Sequence, residues 1–205
     1  MIKNYLVIAK RVLLNKTIFT LLNIFGLAIG IASSAFIFHY ISYEKSFDKY
    51  HPNSENVYRL TYGRLSDNGE DVEFASACPV IAPLLKENFP EIKKIARMAV
   101  REATFAYGEN KFTEKKIYYA EQEIFDILKF DIINGSAENA LNQPYKIVIS
   151  KSIAEKYFGK TDPVGKSLKL NKLEDYQIAA VYEDVPSNSH LKPEILMSFP
   201  NLAIW

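Results

Sequence analysis

The 27 residues from Thr17 to Tyr43 contain no Asp, Glu, Lys or Arg. At roughly 1.5 Å of rise per residue, such a run makes a helix of about 40 Å, longer than the roughly 30 Å hydrocarbon core of a bilayer. The charges around it are one-sided. Lys3, Lys10, Arg11 and Lys16 precede it with no acid among residues 1–16, and Glu44, the first acid, follows at once. Excess Lys and Arg marks the cytoplasmic flank of a span. The pattern therefore predicts a cytoplasmic N-terminus, a transmembrane helix over 17–43 and an extracytoplasmic segment over 44–205. A cleaved signal peptide would have an apolar core of about 7–15 residues ending at a small-residue site. Ala32-Ser33-Ser34-Ala35 offers small residues, but Phe36-Ile37-Phe38 resumes the apolar run, which favours an uncleaved anchor.

In front of the span, Ile2, Tyr5, Leu6, Ala9, Val12 and Leu13 recur at helical spacing, with Lys3, Asn4, Lys10 and Arg11 on the other side. Residues 1–16 thus read as a basic amphipathic helix in the cytoplasmic lipid interface, drawn there by anionic headgroups or by a neighbouring protein. Within the span, Gly26, Gly30 and Ser34 repeat every four residues, and Asn23 lies one turn before them. Small residues let a second helix approach closely in lipid, and an Asn there prefers an interhelical hydrogen bond. Asn23, Gly26, Gly30 and Ser34 are the predicted helix-packing face. His39, near the outer boundary, reads as an interfacial histidine.

The chain carries 25 basic and 24 acidic residues. Setting aside the four N-terminal basic residues leaves 21 against 24 over 44–205, so no phosphate-binding surface is indicated and nucleic acid is not an expected partner. The 162 residues from 44 onward can bury the core of one ordinary domain. A single cysteine, Cys78, rules out an intrachain disulfide.

The coarse pattern of this segment is α+β. Val57–Tyr62 reads as a strand, Ser66-Asp67-Asn68-Gly69 as a turn and Val72–Ala75 as the returning strand. Pro79 opens a helix with Ile81, Leu84, Leu85 and Asn88 on one side, stopped before Pro90. Strands are predicted at Ile95–Val100, Ala103–Tyr107 and, after the turn Gly108-Glu109-Asn110, at Lys115–Ala120. Glu121–Leu128 reads as a short helix and Ile147–Ile149 as a strand. A helix capped by Ser150 or Ser152 runs through Phe158, and Leu168–Leu170 with Tyr176–Tyr182 forms a closing strand pair.

No catalytic constellation emerges, and the chain is not expected to be an enzyme. Gly165-Lys166-Ser167 resembles the end of a phosphate-binding loop, but Lys160 occupies the position that needs glycine, and a helix precedes the loop where a strand should. Pro163 and Gly165 read better as a turn. His51 and His190, the outer histidines, have no His or Cys partner at metal-ligand spacing. Cys78 has no sequence-local base and reads as a small half-buried residue. Glu121, Glu123 and Asp126 fit a solvated helix face, and Asn134-Gly135-Ser136 matches a glycosylation pattern short enough to arise by chance. The predicted catalytic, cofactor-binding and metal sites are none.

The stretch Asn15-Lys16-Thr17-Ile18-Phe19-Thr20-Leu21-Leu22-Asn23-Ile24-Phe25-Gly26-Leu27-Ala28-Ile29-Gly30 resembles the first membrane helix of macrolide-exporter-type ABC permeases, the MacB/FtsX superfamily. Tyr43-Glu44-Lys45-Ser46-Phe47-Asp48 and Asn56-Val57-Tyr58-Arg59-Leu60 continue the likeness. Phe158-Gly159-Lys160-Thr161-Asp162-Pro163-Val164-Gly165-Lys166 and Asp184-Val185-Pro186-Ser187-Asn188-Ser189-His190 are similar to turns of that family's periplasmic core domain. The resemblance implies a bacterial inner-membrane permease subunit with residues 44–205 in the periplasm. It also implies pairing as a homo- or heterodimer with other permeases, and a partner ABC-type ATPase that uses the ATP, so that this chain holds no cofactor. ATP-driven motion would pass through the helices to the outer domain for export or mechanotransmission, often with a periplasmic adaptor. By the same comparison the outer domain is incomplete at Trp205, so the chain is expected to be a truncated gene product, a partial sequence or an N-terminal fragment of a longer permease. The competing reading is a single-pass anchored module whose outer domain binds or senses an extracytoplasmic ligand.

Overall fold

A computed structural model describes residues 2–64 and 72–204 and divides into two units, Met1–Phe47 and Asp48–Trp205. The predicted turn at Ser66–Gly69 and the terminal Trp205 lie outside the described residues.

The first unit is two helices, α1 (Ile2–Asn15) and α2 (Thr17–Glu44). At their junction the Thr17 hydroxyl donates to the Leu14 carbonyl at 3.0 Å and the Thr20 hydroxyl to the Leu13 carbonyl at 2.9 Å. These hydroxyls occupy carbonyls that the end of a helix otherwise leaves without a donor. No residue of α2 is buried, and Phe25, Leu27, Phe36 and Phe38 project on several sides. A helix that is apolar all round belongs in a protein core or in lipid, and α2 is long and apolar enough to cross a membrane.

The second unit is the mixed α+β domain. It begins with a small hairpin, β1 (Tyr62–Arg64) and β2 (Val72–Phe74), joined by stacked Tyr62 and Phe74 rings. The predicted strand over Val57–Tyr62 is corrected here. Residues 57–61 are exposed and carry no ladder bonds, with Tyr58 86% exposed, because alternation makes a strand only where a partner edge accepts it. Helix α3 (Ile81–Asn88) starts after Pro79, as expected. It buries Ala82 and half-buries Ile81 and Leu85, whereas Leu84 is exposed. The Asn88 side chain donates to the Leu84 carbonyl at 2.8 Å.

The larger sheet contains β3 (Met98–Tyr107), β4 (Asn110–Ala120), β5 (Ile132–Gly135), β6 (Lys146–Ser150), β7 (Ser167–Leu170), β8 (Glu174–Tyr182) and β9 (Ile195–Ser198). Their order is β5-β8-β6-β9-β4-β3-β7, and β7 also pairs with β8. Six strands thereby close a hydrogen-bonded circuit, while β5 adds to β8 beyond β7. The two strands predicted at 95–100 and 103–107 are one, β3, with an irregularity between Arg101 and Ala103 that the sequence reading took for a break. Strand β4 starts at Asn110 rather than Lys115, since Gly108, at φ +58°, lets a two-residue turn join the strands directly. Strands β5 and β9 were not anticipated.

Both faces of this sheet are covered, so its central strands are continuous apolar runs rather than alternating ones. Ile147, Ile149, Ile195, Met197, Tyr176 and Ile178 pack on one face with Ile153, Ala154, Tyr157 and Phe158 of α5 (Lys151–Phe158). Val148, Leu196, Ala180 and Tyr182 pack on the other with Ile124 and Leu128, from α4 (Ile124–Ile127) and the residue after it, and with Leu141 of a 3-10 turn. Ser150 caps α5, accepting from the Ile153 amide at 3.3 Å. Ser152, the other candidate, instead donates to Asp184 at 2.7 Å. Glu114 is buried and is matched by Lys156 at 2.7 and 3.0 Å and by the Tyr157 hydroxyl at 2.7 Å. Burial, reinforced by that hydrogen bond, pushes the Tyr157 hydroxyl far above its ordinary range.

Gly135 sits at φ +74° beside β8, where an added Cβ would lie 2.3 Å from the Ala179 carbonyl oxygen. We expect Gly135→Val to cost about 2 kcal/mol or more in urea unfolding of the full chain in detergent, followed by circular dichroism. Gly108→Ala, whose Cβ meets nothing within 4 Å, should cost only about 1 kcal/mol, for the left-handed backbone alone. Equal losses for the two would contradict the close approach of Gly135 to β8.

Candidate functional site: a polar clasp at the start of the outer domain

Asp48, the first residue of the second unit, adopts a left-handed conformation at φ +56°. Asp tolerates this better than most residues because its short side chain can bond locally. Here the side chain bonds to a loop about 140 positions later in the chain. One carboxylate oxygen accepts from the Ser189 hydroxyl at 2.7 Å and from the His190 amide at 3.0 Å. The other lies 2.7 Å from His190 Nδ1, and the Asp48 amide donates to the Asn188 carbonyl at 3.0 Å. Ser189 is fully buried, whereas the imidazole of His190 is largely exposed.

Three residues on, His51 is buried and its Nδ1 accepts from the Lys129 amide at 3.1 Å. The Tyr50 ring packs on His51 at 4.0 Å, and its hydroxyl donates to the Lys129 carbonyl at 3.4 Å. Residues 48–51 therefore tie together the approach to β9 (188–190) and the approach to β5 (Lys129). Burial raises the Asp48 carboxyl, but the bonds from Ser189 and His190 outweigh it and hold the pKa below its ordinary value. Burial pushes His51 below the usual histidine range, partly offset by Asp48. Burial, with Asp48 nearby, also pushes the Tyr50 hydroxyl up to about 12.

The presence of Ser, His and Asp does not make this a hydrolase triad. The Ser189 hydroxyl donates to the carboxylate, so the acceptor of its proton is not the imidazole that a triad places there. Among the described residues no group of His, Cys, Asp and Glu could hold a metal ion. Gly165, at φ +82°, makes the turn before β7, and its amide donates to the Ile178 carbonyl at 2.9 Å. A bond to the protein's own backbone is the opposite of a loop with amides free for phosphate. Cys78 is exposed rather than half-buried. Glu121 is half-buried rather than freely solvated, and both its oxygens hold Arg97, one through the backbone amide at 2.9 Å and the other through Nε at 2.8 Å. Asp126 pairs with Lys94.

The predicted packing residues lie on α2. Built Cβ atoms on Gly26 and Gly30 meet nothing within 4 Å, and the Ser34 hydroxyl donates to the Gly30 carbonyl at 2.9 Å. Asn23 borders an open groove of about 310 Å³ shared with Val12, Leu13 and Lys16. The clasp escaped the sequence reading although both its ends stand in motifs that reading quoted. Nothing in two such short motifs says which carboxylate faces which loop.

The clasp has a pH signature. A buried neutral His51 and an ionised, hydrogen-bonded Asp48 are both cases in which the unfolded chain binds protons more readily, so stability rises with pH across each window. We expect stability to be level above about pH 6.5. It should fall as pH drops below that value and unfolding begins to protonate His51, and fall again below the ordinary carboxylate value of 3.8. Urea midpoints between pH 8 and pH 3 would reveal this, and His51→Gln should remove the first decline. A midpoint that rose on acidification would contradict the assignment.

The model of the MacB-like periplasmic core domain matches residues 20–204. Among solved structures, a domain of a protein described as a permease from Porphyromonas gingivalis is similar at 24% identity and a TM-score of 0.57, covering 64% of this chain and 56% of that one. The extracellular domain of the noncanonic ABC-type transporter YknZ from Gram-positive bacteria aligns at 24% identity and a TM-score of 0.45, over 55% of this chain and 57% of that one. The periplasmic region of MacB from Actinobacillus actinomycetemcomitans aligns at 15% identity and a TM-score of 0.45, over 58% and 56%. The chain thus spans a little over half the length of each. No curated protein matches the sequence. With residues 20–204 matched as one family, the chain belongs to the MacB-like periplasmic core domains, the outer domains of ABC transporter permeases.

Proposed function

We propose that this chain is the non-catalytic permease part of an ABC transporter and couples ATP hydrolysis by a partner ATPase to movement of the outer domain. The observation that carries this reading is the continuity of the family match from residue 20 to 204, through α2 and the sheet domain together. In this reading α2 crosses the bacterial inner membrane once. The four basic residues before it hold the N-terminus in the cytoplasm, and residues 44–205 stand in the periplasm.

Residues 1–16 lie in the cytoplasmic lipid interface, with Leu6, Ala9 and Leu13 turned toward an open groove that α1 shares with the start of α2. ATP binds the partner and not this chain, whose outer domain works by displacement rather than by chemistry. Gly26, Gly30 and Ser34, spaced one turn apart along α2, form the seam against another membrane helix of a homo- or heterodimeric permease, with Asn23 supplying a hydrogen bond. A periplasmic adaptor fits the same scheme.

The test is purification of the tagged chain from membranes of its native cells, followed by assay for ATP hydrolysis. An ATPase subunit should co-purify. Replacing Gly26, Gly30 and Ser34 together by Leu should reduce its recovery about tenfold, since the bulk would block close helix approach. Recovery of the chain without any ATP-hydrolysing partner would contradict the proposal and favour an anchored sensor. Unchanged assembly of the triple variant would contradict the seam.

A further inference from the structure

We infer that the elbow between α1 and α2 is a binding site for an anionic diacyl phospholipid of the cytoplasmic leaflet. One acyl chain lies in the groove between the two helices, and Lys10 holds the phosphate. The site rests on the permease reading for its place at the cytoplasmic surface, while its geometry lies within the first unit alone.

The groove has a volume of about 480 Å³ and runs between Leu6, Lys10 and Leu13 of α1 and Thr17, Leu21 and Ile24 of α2. That volume falls in the range of about 300–1,000 Å³ that small-molecule sites occupy. Its walls are set without a ligand. The Thr20 hydroxyl reaches back seven positions to the Leu13 carbonyl and the Thr17 hydroxyl bonds Leu14, so the bend between the helices is hydrogen-bonded rather than free. Thr17 opens α2 and Ile24 lies seven residues on, so the groove climbs roughly 10 Å along the helix at about 1.5 Å per residue. With the basic flank at the cytoplasmic surface, this climb covers most of the roughly 15 Å of hydrocarbon in one leaflet, which is the course of an acyl chain.

Charge selects the lipid class. Lys10 borders the groove, and Lys3 precedes it by seven residues, two turns of helix along the same side. No acid occurs before Glu44, so no carboxylate of α1 or of the first turns of α2 neutralises them. A lysine beside apolar walls matches a molecule with one anionic and one apolar end, and basic pockets between helices on the cytoplasmic side suit phosphate headgroups. The rival occupant is another membrane helix, and the face suited to it lies elsewhere. None of Asn23, Gly26, Gly30 and Ser34 lines this groove, whose walls are Leu and Ile rather than the small residues that close helix approach requires.

The test is photolabelling of the full chain in phosphatidylcholine nanodiscs by a trace of phosphatidylglycerol carrying a photoactivatable acyl chain, with labelled residues read by mass spectrometry. A phosphatidylcholine probe with the same chain is the reference. The anionic probe should label Leu13, Leu21 and Ile24 about fivefold more than the reference does. Ile18 and Phe25, exposed at similar depth but outside the groove, should differ by less than about twofold. Lys10→Gln should abolish the excess and Lys10→Arg should retain it. Arg11→Gln removes the adjacent charge, which does not line the groove, and should leave the excess within about twofold. Equal labelling by the two probes, an excess spread evenly over Ile18 and Phe25, or equal losses from Lys10→Gln and Arg11→Gln would overturn the inference. Groove residues that neither probe labels would assign the groove to a protein helix and overturn it as well. None of these readings depends on an ATPase. Failure to find that partner would defeat the proposed function and leave the lipid site standing, whereas loss of the anionic preference would defeat the site and leave the permease reading standing.

Discussion

Every backbone amide and carbonyl withdrawn from water needs a partner, and the two units of this chain meet that demand in different ways. In α2 all pairing is internal to the helix, the arrangement that a single segment surrounded by hydrocarbon requires. The run of Thr17–Tyr43 carries no Asp, Glu, Lys or Arg that would have to leave water. In the outer domain the demand is met by closure. Ser167–Leu170, only four residues long, pairs with β3 along one edge and β8 along the other, and so joins the two ends of a six-strand path. With both faces covered, Ile147, Val148, Ile149, Ile195, Leu196 and Met197 are all buried without alternation.

That lack of alternation explains much of what the sequence did and did not disclose. The elements with a local signature were legible: the long apolar helix α2 from its missing charges, α3 from Pro79, α5 from its capping serine, and the turn at Gly108. Strand β9 was not, because Ile195-Leu196-Met197 is a bare three-residue apolar run with no period to distinguish strand from buried coil. Strand β5 escaped because its residues are exposed, and only its pairing with β8 makes it a strand. Val57–Tyr62 failed in the opposite sense, with an alternating pattern but no edge to pair with. The family was readable from motif order. The clasp was not, since contacts between residues 48 and 188–190 depend on how the whole sheet closes.

Those contacts give the two motifs a physical reason to stand where they do. Asp48 and Asn188-Ser189-His190 are the two halves of one hydrogen-bonded clasp within the outer domain. A carboxylate held by several donors is costly to disengage, and the left-handed backbone at Asp48 is tolerated because those bonds over-determine it.

The account stands on α2 crossing a membrane once and leaving the sheet domain outside. Cys78 is the only cysteine in the chain and is exposed on that domain, so a membrane-impermeant maleimide applied to spheroplasts reads its side directly. The account predicts labelling of Cys78 in intact spheroplasts to the same extent as after lysis. Labelling that appears only once the membrane is opened would contradict it.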